Sequence, residues 1–296
     1  MAKNNNKKSR FNARISDKKM ASDREQAVAR ALTEDIGNGD VTAALVPPAA
    51  MAEARVIVRE PAVLCGRAWF DEVFQQLDPE IAVRWEAEDG DTLVPDQLVC
   101  SLEGPARTLL TGERTALNFL QTLTGTATTT SQYVARIADT GCRLLDTRKT
   151  IPGLRLAQKY AAATGGAVNH RIGLFDAILI KENHIASAGS LAQAVRAARA
   201  SSPALPVEIE VETLDQVEQA LSTGVERILL DNFSLAQLRA AVAMNADLDG
   251  SCELEASGGI EVDTLRDVAE TGVDFISIGA LTKHVRASDF SMRFTF

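Results

Sequence analysis

From residue 143 onward the chain repeats one local pattern: a short apolar run, a polar or glycine-bearing turn, then a stretch with helical spacing. Six runs read as strands, near 143–146, 176–181, 207–212, 227–231, 252–256 and 274–279, with helical patterns at 190–200, 214–221 and 235–243 between them. Apolar runs of this kind mark strands covered on both faces, and strands separated by helices pair in parallel, because a parallel neighbour needs a crossover. The second half of the chain is therefore an α/β unit built on a parallel sheet. Six strong runs do not establish a closed eight-stranded barrel. Residues at the carboxyl ends of such strands line the active-site mouth.

That rule gives meaning to a cluster of cations. The segment from Asp146 to His184 collects Arg148, Lys149, Arg155, Lys159, His170, Arg171, Lys181 and His184 in a chain whose formal net charge is -9. Arg143-Leu-Leu-Asp-Thr leads into Arg148 and Lys149, and Ala177-Ile-Leu-Ile leads into Lys181, so these cations converge on the mouth. Most surface cations are simply solvated. Histidine usage argues against that here, since the chain has 3 and His170 and His184 both fall inside the segment. A cationic pocket in an acidic protein implies an anionic ligand.

Composition narrows the class further. With 46% hydrophobic and 24% charged residues the chain is an ordinary globular protein, and its acidity argues against general nucleic-acid binding. No apolar run approaches the ~20 residues of a membrane span. Cys65, Cys100, Cys142 and Cys252 show neither zinc-ligand nor redox-pair spacing and read as reduced, buried thiols of a cytoplasmic protein. Residues 1–21 are basic, poor in large apolar side chains, and read as a disordered tail; no apolar stretch follows them to make a secretory signal, and no amphipathic stripe marks an organelle presequence.

The first half differs in texture. Residues 22–32 read as a short helix capped by Ser22 or Asp23, ending where Glu34-Asp-Ile-Gly-Asn-Gly-Asp-Val turns. Residues 53–60, 81–85 and 97–102 read as strands and 68–77 as a helix, which makes residues 22–125 a mixed domain of strands and helices. From Ala106 a helical surface of Leu109, Leu110, Ala116, Leu117, Phe119, Leu120 and Leu123 follows, interrupted at Gly125 and a run of threonines. The catalytic unit then runs over 126–286, and residues 287–296 alternate as an antiparallel strand that returns to the first domain.

Two sets of residues supply further chemistry. Glu208, Glu210 and Glu212 alternate along one strand and share a face, and Asp231 closes the next. Carboxylates at a mouth can hold sugar hydroxyls or a hydrated Mg²⁺, with Glu210 the strongest candidate; Glu208 and Glu212 serve equally well in ion pairs. Glu255-Ala-Ser-Gly-Gly-Ile and Ser277-Ile-Gly-Ala-Leu-Thr each follow a strand and precede a helical pattern, the setting of a phosphate cradle.

Taken in order, Glu34-Asp-Ile-Gly-Asn-Gly-Asp-Val-Thr, Glu113-Arg-Thr-Ala-Leu-Asn-Phe-Leu-Gln, Asp146-Thr-Arg-Lys-Thr-Ile-Pro-Gly, Asn169-His-Arg-Ile-Gly-Leu, Ile180-Lys-Glu-Asn-His, Glu210-Val-Glu, Leu230-Asp-Asn and Ala256-Ser-Gly-Gly-Ile resemble the quinolinate phosphoribosyltransferase family. The resemblance covers the chain from about residue 22 to its end. It implies an N-terminal α/β sandwich, a partly open α/β barrel with fewer than eight strands, and a homodimer in which Arg114 reaches the partner's site. It also implies a reaction: quinolinate and 5-phosphoribosyl 1-diphosphate, with Mg²⁺, give nicotinate mononucleotide, diphosphate and carbon dioxide in NAD biosynthesis.

The implied roles follow. Arg148, Arg171, His170 and the partner subunit's Arg114 hold quinolinate, while Lys149 and Lys181 bridge towards diphosphate and ribose. Glu210 and Asp231 bind ribose hydroxyls and metal; Ser257, Gly258 and Gly279 hold the 5-phosphate, and Thr147, Gly259 and Ala280 complete the contacts. Lys149 is the candidate acid for protonating C2. Competing readings are a transferase for another acid such as nicotinate or a relative serving metal-cofactor metabolism, a Schiff-base aldolase built on Lys181, and a non-enzymatic binding protein.

Overall fold

The structure, a computed structural model, describes Phe11, residues 15–248 and residues 250–295. In chain order its elements are α1 (Asp17–Ile36), β1 (Met51–Val58), β2 (Ala62–Val63), α2 (Arg67–Leu77), β3 (Ala82–Trp85), β4 (Thr92–Leu93), β5 (Leu98–Pro105) and α3 (Ala106–Arg136). They continue with β6 (Arg143–Leu145), α4 (Arg155–Thr164), β7 (Ile178–Ile180), α5 (Glu182–Ala188), α6 (Leu191–Ser201), β8 (Val207–Val211), α7 (Leu214–Ser222) and β9 (Arg227–Asp231). Last come α8 (Leu235–Leu248), β10 (Glu253–Ser257), α9 (Leu265–Ala269), β11 (Phe275–Ser277), α10 (Ala280–Lys283) and β12 (Phe290–Thr295). Two compact units result: residues 15–131, 149–166 and 280–295 form one, and Phe11 with 132–148 and 167–279 the other.

The first unit is an α/β sandwich on an antiparallel sheet of order β12-β1-β5-β3. β1 shows why: Ala52, Ala54, Val56 and Val58 are buried while Glu53 and Arg55 between them face solvent, the period-2 signature of a sheet covered on one side. Its core joins these side chains to Trp69, Phe70, Val73 and Phe74 of α2 and to Leu109, Leu117 and Leu120 of α3. Gly112 is required in that core, because a Cβ there would lie 2.7 Å from the Phe74 ring.

Three details correct the sequence reading. α1 starts at Asp17 rather than residue 22, because Ser16 Oγ accepts from the Lys19 amide at 3.3 Å and caps it, and it runs on to Ile36 before Gly37 takes φ 54°. So residues 17–21 of the expected tail are helical; apart from Phe11 and residues 15–16, the rest of that tail lies outside the described residues. α3 is not interrupted at Gly125. Thr126 and Thr130 turn their hydroxyls onto carbonyls one turn back (3.1 and 2.8 Å), Thr124 exchanges hydrogen bonds with the Cys65 backbone, and Gly125 admits the Arg286 carbonyl, which would sit 2.1 Å from a Cβ. Finally, α4 and α10 group with this unit instead of the barrel: Ala157 and Ala161 enter its core, Tyr160 packs on Trp69 at 5.4 Å, and Gln158 Nε2 donates to the Thr282 carbonyl at 2.8 Å.

The second unit is a partly open α/β barrel of six parallel strands in the order β6-β11-β10-β9-β8-β7. At the β6 edge, Val168 adds a one-residue parallel bridge to Leu145. In-register residues share a face, so the pairing Leu179–Glu208–Arg227–Glu253 and the next layer, Glu210–Leu229–Glu255–Phe275–Arg143, lie on one side of the sheet. Val207, Ile209, Val211, Ile228, Leu230, Leu254, Ala256 and Ile276 occupy the other, buried side, where α6, α7 and α9 pack on their strands. The interior is thus charged and the helix side apolar.

Candidate active site

The strand ends of the barrel unit place the predicted residues in layers. Along β8, Glu208 is fully buried, Glu210 half-buried and Glu212 exposed, so one face runs from the floor of the barrel to its mouth. Asp231 stands in register with Ser257 at the ends of β9 and β10, on the same face as Glu210. Lys181, just past β7, directs Nζ to Glu210 Oε2 at 2.5 Å. A Schiff-base lysine must be neutral and desolvated. Lys181 is 44% exposed and in a close ion pair, which disfavours the aldolase reading.

The loop carrying His170 and Arg171 is pinned by two carboxylates that the sequence reading did not assign. Buried Asp146 accepts from the His170 amide at 2.8 Å and from Asn169 Nδ2 at 2.6 Å. Asp176 closes the following turn by accepting from the Ile172 and Gly173 amides at 2.7 and 3.0 Å. Arg171 is thereby held near Arg148. Partial burial, then the Arg148 charge, lowers the Arg171 pKa, against a weaker pull from Glu208, Asp176 and Glu210. The Arg148 Nε is itself buried with no hydrogen-bond acceptor among the described residues. Two like charges held together beside an unspent donor suit an anion, since a carboxylate would relieve the repulsion and satisfy the donor.

His170 stands on a buried polar floor. Its Nε2 lies 2.9 Å from Glu208 Oε2 and 3.4 Å from Glu255 Oε2, and Arg227 reaches Glu255 at 3.4 Å and Glu253 at 2.8 Å. Phe11 and Phe275 cover the Arg227 guanidinium, with ring centres 4.2 and 4.3 Å away. Burial alone would depress the His170 pKa, but the two carboxylates reverse it and push it up to about 10. Burial, then repulsion from Glu255, raises Glu208, whereas Glu255 is held at about 2 because the charges of His170 and Arg227 outweigh its own burial. By its 2.9 Å contact with His170, Glu208 belongs to this buried polar network. The sequence reading gave neither Arg227 nor Glu255 a role; the alternation Glu253-Leu-Glu255, which repeats that of Glu208-Ile-Glu210, was the signal that could have found Glu255.

The glycine cradle has a different form from that expected. Gly258 and Gly259 take φ 100° and 57°, but α9 begins only at Leu265, so no helix N-terminus follows them directly. Instead a second left-handed residue, Asn232 at φ 57°, packs alongside: its amide donates to the Ser257 carbonyl at 2.9 Å, and a Cβ on Gly258 would meet its Oδ1 at 2.2 Å. Gly279 ends the β11 segment, immediately before α10.

Lys149, Ala280 and Arg114 belong to the sandwich unit, as do Arg155 and Lys159. Arg114 is exposed on α3, and the Glu34–Thr42 motif braces that helix on either side of it: Thr111 donates to Asp40 at 2.8 Å and Thr115 to Asp35 at 3.3 Å. His184 has a local task, its Nδ1 accepting from the Lys181 amide at 2.9 Å at the start of α5. Thr147 is half-buried beyond β6.

Two family matches cover this architecture: the Quinolinate phosphoribosyl transferase N-terminal domain over residues 40–124 and the C-terminal domain over 126–293. This chain belongs to the quinolinate phosphoribosyltransferase family. Within the family it is 42% identical to the nicotinate-nucleotide pyrophosphorylase [carboxylating] of Mycobacterium leprae, over 90% of this chain and 95% of that protein. It is 41% identical to the probable enzyme of the same name from Synechocystis, over 88% and 89% of the two chains. The solved nicotinate-nucleotide pyrophosphorylase structure from Francisella tularensis superposes with a TM-score of 0.90 at 44% identity, covering 96% of this chain and 99% of that one. Among the described residues no helix is long and apolar enough to cross a membrane.

Proposed function

We propose that this chain transfers the phosphoribosyl group of 5-phosphoribosyl 1-diphosphate to quinolinate and decarboxylates the adduct, giving nicotinate mononucleotide, diphosphate and carbon dioxide in NAD biosynthesis. The observation that carries the reading is the Arg148–Arg171 pair with its unspent donor, on a framework whose two domain families and relatives carry this activity in their names. Paired guanidiniums suit a pyridine dicarboxylate, because each can bond a carboxylate through two parallel N–H groups. His170 and the partner subunit's Arg114 complete the grip.

The chemistry then needs placement more than a covalent intermediate. The ring-nitrogen lone pair forms the bond to the anomeric carbon as the bond to diphosphate breaks, and holding these atoms in line supplies much of the rate. The Lys181–Glu210 pair and Asp231 face the ribose, with negative charge placed to stabilise the carbon as it becomes electron-poor. Ser257, Gly258, Gly259, Gly279 and Ala280 hold the 5-phosphate, and Thr147 lines its approach. Asp231 and Glu210 would hold Mg²⁺, being half-buried carboxylates on one face of neighbouring strands, with Glu210 exchanging Lys181 for the ion; such an ion takes one or two carboxylates with the rest from water and phosphate. When bound, it neutralises the departing diphosphate. Once the ring is cationic, the 2-carboxylate leaves as carbon dioxide, its bonding pair stays on C2, and a proton from Lys149 quenches it.

The decisive assay measures carbon dioxide and diphosphate released from quinolinate, 5-phosphoribosyl 1-diphosphate and Mg²⁺, with nicotinate in parallel. Equal release with quinolinate alone is expected; diphosphate with nicotinate alone would overturn the substrate, and silence with both the activity. The homodimer has its own test. Arg114→Ala and Lys181→Ala subunits, each inactive, should regain activity when mixed, and no recovery after proven subunit exchange would refute the shared site. Four buried cysteines outside any disulfide fit a reducing, cytoplasmic location.

A further inference from the structure

The buried floor beneath His170 has a composition that packing does not require. Glu208 and Glu255 are fully buried on strands separated by β9, yet both turn a carboxylate oxygen to the same imidazole nitrogen, at 2.9 and 3.4 Å. A nitrogen facing two acceptors carries a proton, which a neutral ring protonated at Nε2 and an imidazolium both provide, so the charge of the floor decides between them. Glu208 and Glu255 are both fully buried; Arg227 bonds Glu255 while also engaging Glu253, and the close partner of Glu208 is the His170 ring, so a charged imidazole offsets the buried carboxylate that an uncharged one would leave costly. Asp146 fixes the backbone of the same histidine by accepting from its amide.

We propose that Glu208 and Glu255 are positioning residues that hold the His170 ring in one orientation as an imidazolium, so that the site presents a third fixed cation beside Arg148 and Arg171 to an incoming diacid. This rests on the reading of His170 as part of the quinolinate grip. Arg227 contributes to the balance: its charge acts on Glu208 as well as on Glu255 and Glu253, while the close contact of Glu208 is with the histidine. The function of the floor is to make anion binding independent of pH across the range where a free histidine would lose its charge. The three ligand atoms of His170, Glu208 and Glu255 lie within 4.8 Å of one another, a spacing that could suit a cation, but Arg227 at 3.4 Å from Glu255 opposes one.

Two measurements test this. In the first, the His170 imidazole ¹⁵N shifts are followed from pH 6 to 9 in the substrate-free full-length protein, assigned by comparison with His170→Gln. The wild-type ring should stay doubly protonated throughout, and Glu208→Gln or Glu255→Gln should bring its titration into that range. A wild-type ring neutral at pH 7, or one that loses its proton when Zn²⁺ alone is added at one equivalent, would overturn the proposal. In the second, Glu208→Gln should raise KM for quinolinate about tenfold or more at pH 8.5, leave kcat within about threefold, and converge on wild type at pH 6. A purely structural role predicts a pH-independent loss instead. Should wild type prove inactive on quinolinate, the functional reading falls while the ¹⁵N titration still decides the charge of His170; should Glu208→Gln not fold, Glu255→Gln and the wild-type titration carry the test.

Discussion

Replacing Arg227 by Met is the sharpest test of how the barrel unit is held together. The side chain is 2% exposed, engages Glu253 at 2.8 Å and Glu255 at 3.4 Å, and lies between the rings of Phe11 and Phe275. Removing one partner of a buried ion pair costs about 3–5 kcal/mol, because the other charge stays behind without compensation. Losing the two ring contacts adds to this, and part of that addition a Met sulfur restores. A net loss near 4 kcal/mol is therefore expected. With a urea m-value of about 2–3 kcal/mol/M, the midpoint of the barrel transition should fall by about 1.3–2 M. The probe matters: both tryptophans, Trp69 and Trp85, lie in the sandwich unit, so their fluorescence would report the wrong transition. Far-ultraviolet circular dichroism or hydrogen exchange of the β8–β10 amides follows the right one. Adding Glu255→Gln to Arg227→Met should return part of the loss, since it removes the stranded carboxylate. A loss under about 1 kcal/mol for Arg227→Met, or a double variant as unstable as the sum of the singles, would refute this account.

Further outcomes follow from the same geometry. The two carboxylates push the His170 pKa up to about 10 in the fold against 6.5 unfolded, so its stabilisation should be complete below pH 6.5 and fade as pH rises towards 10, by at most about 5 kcal/mol. Urea midpoints from pH 6.5 to 9.5 should therefore fall more steeply for wild type than for His170→Gln, and parallel slopes would contradict it. Glu255, held at about 2, contributes the opposite way: its share is intact above the ordinary carboxylate range and disappears as pH falls through 2. Gly258→Ala, forced to φ 100° with a Cβ 2.2 Å from Asn232 Oδ1, should cost about 1–3 kcal/mol and raise KM for 5-phosphoribosyl 1-diphosphate more than for quinolinate. Unchanged stability would show that the two left-handed turns are not packed as described.

The elements that announce themselves locally were legible from the residues. All six barrel strands fall where short apolar runs lie, because burial on both faces leaves a continuous signal. The cations that close β6 and β7 were legible for the same reason. Capping and long-range contacts were not. Ser16 extends α1 through one side-chain bond, and the threonines after Gly125 look like a break until their hydroxyls bond back along the helix. Nothing local distinguishes α4 from a barrel helix, since its allegiance is set by Trp69 and Thr282, which are remote in sequence. The floor of Glu208, Arg227 and Glu255 was hidden for a related reason: a buried charge is readable only once the strands carrying its partners are in register.

The bridge at Val168 has a consequence beyond pairing. An open barrel leaves an edge strand whose amides and carbonyls could recruit a foreign strand. Here the Val168 amide takes the Leu144 carbonyl at 2.8 Å and its carbonyl takes the Asp146 amide at 3.2 Å, so that edge is sealed by the residue two places before His170. Protection against misassembly and the presentation of the site's cations are thus written into the same short stretch of chain. An insertion between Asp146 and Arg171 that displaced Val168 would therefore open that edge and shift His170 and Arg171 together.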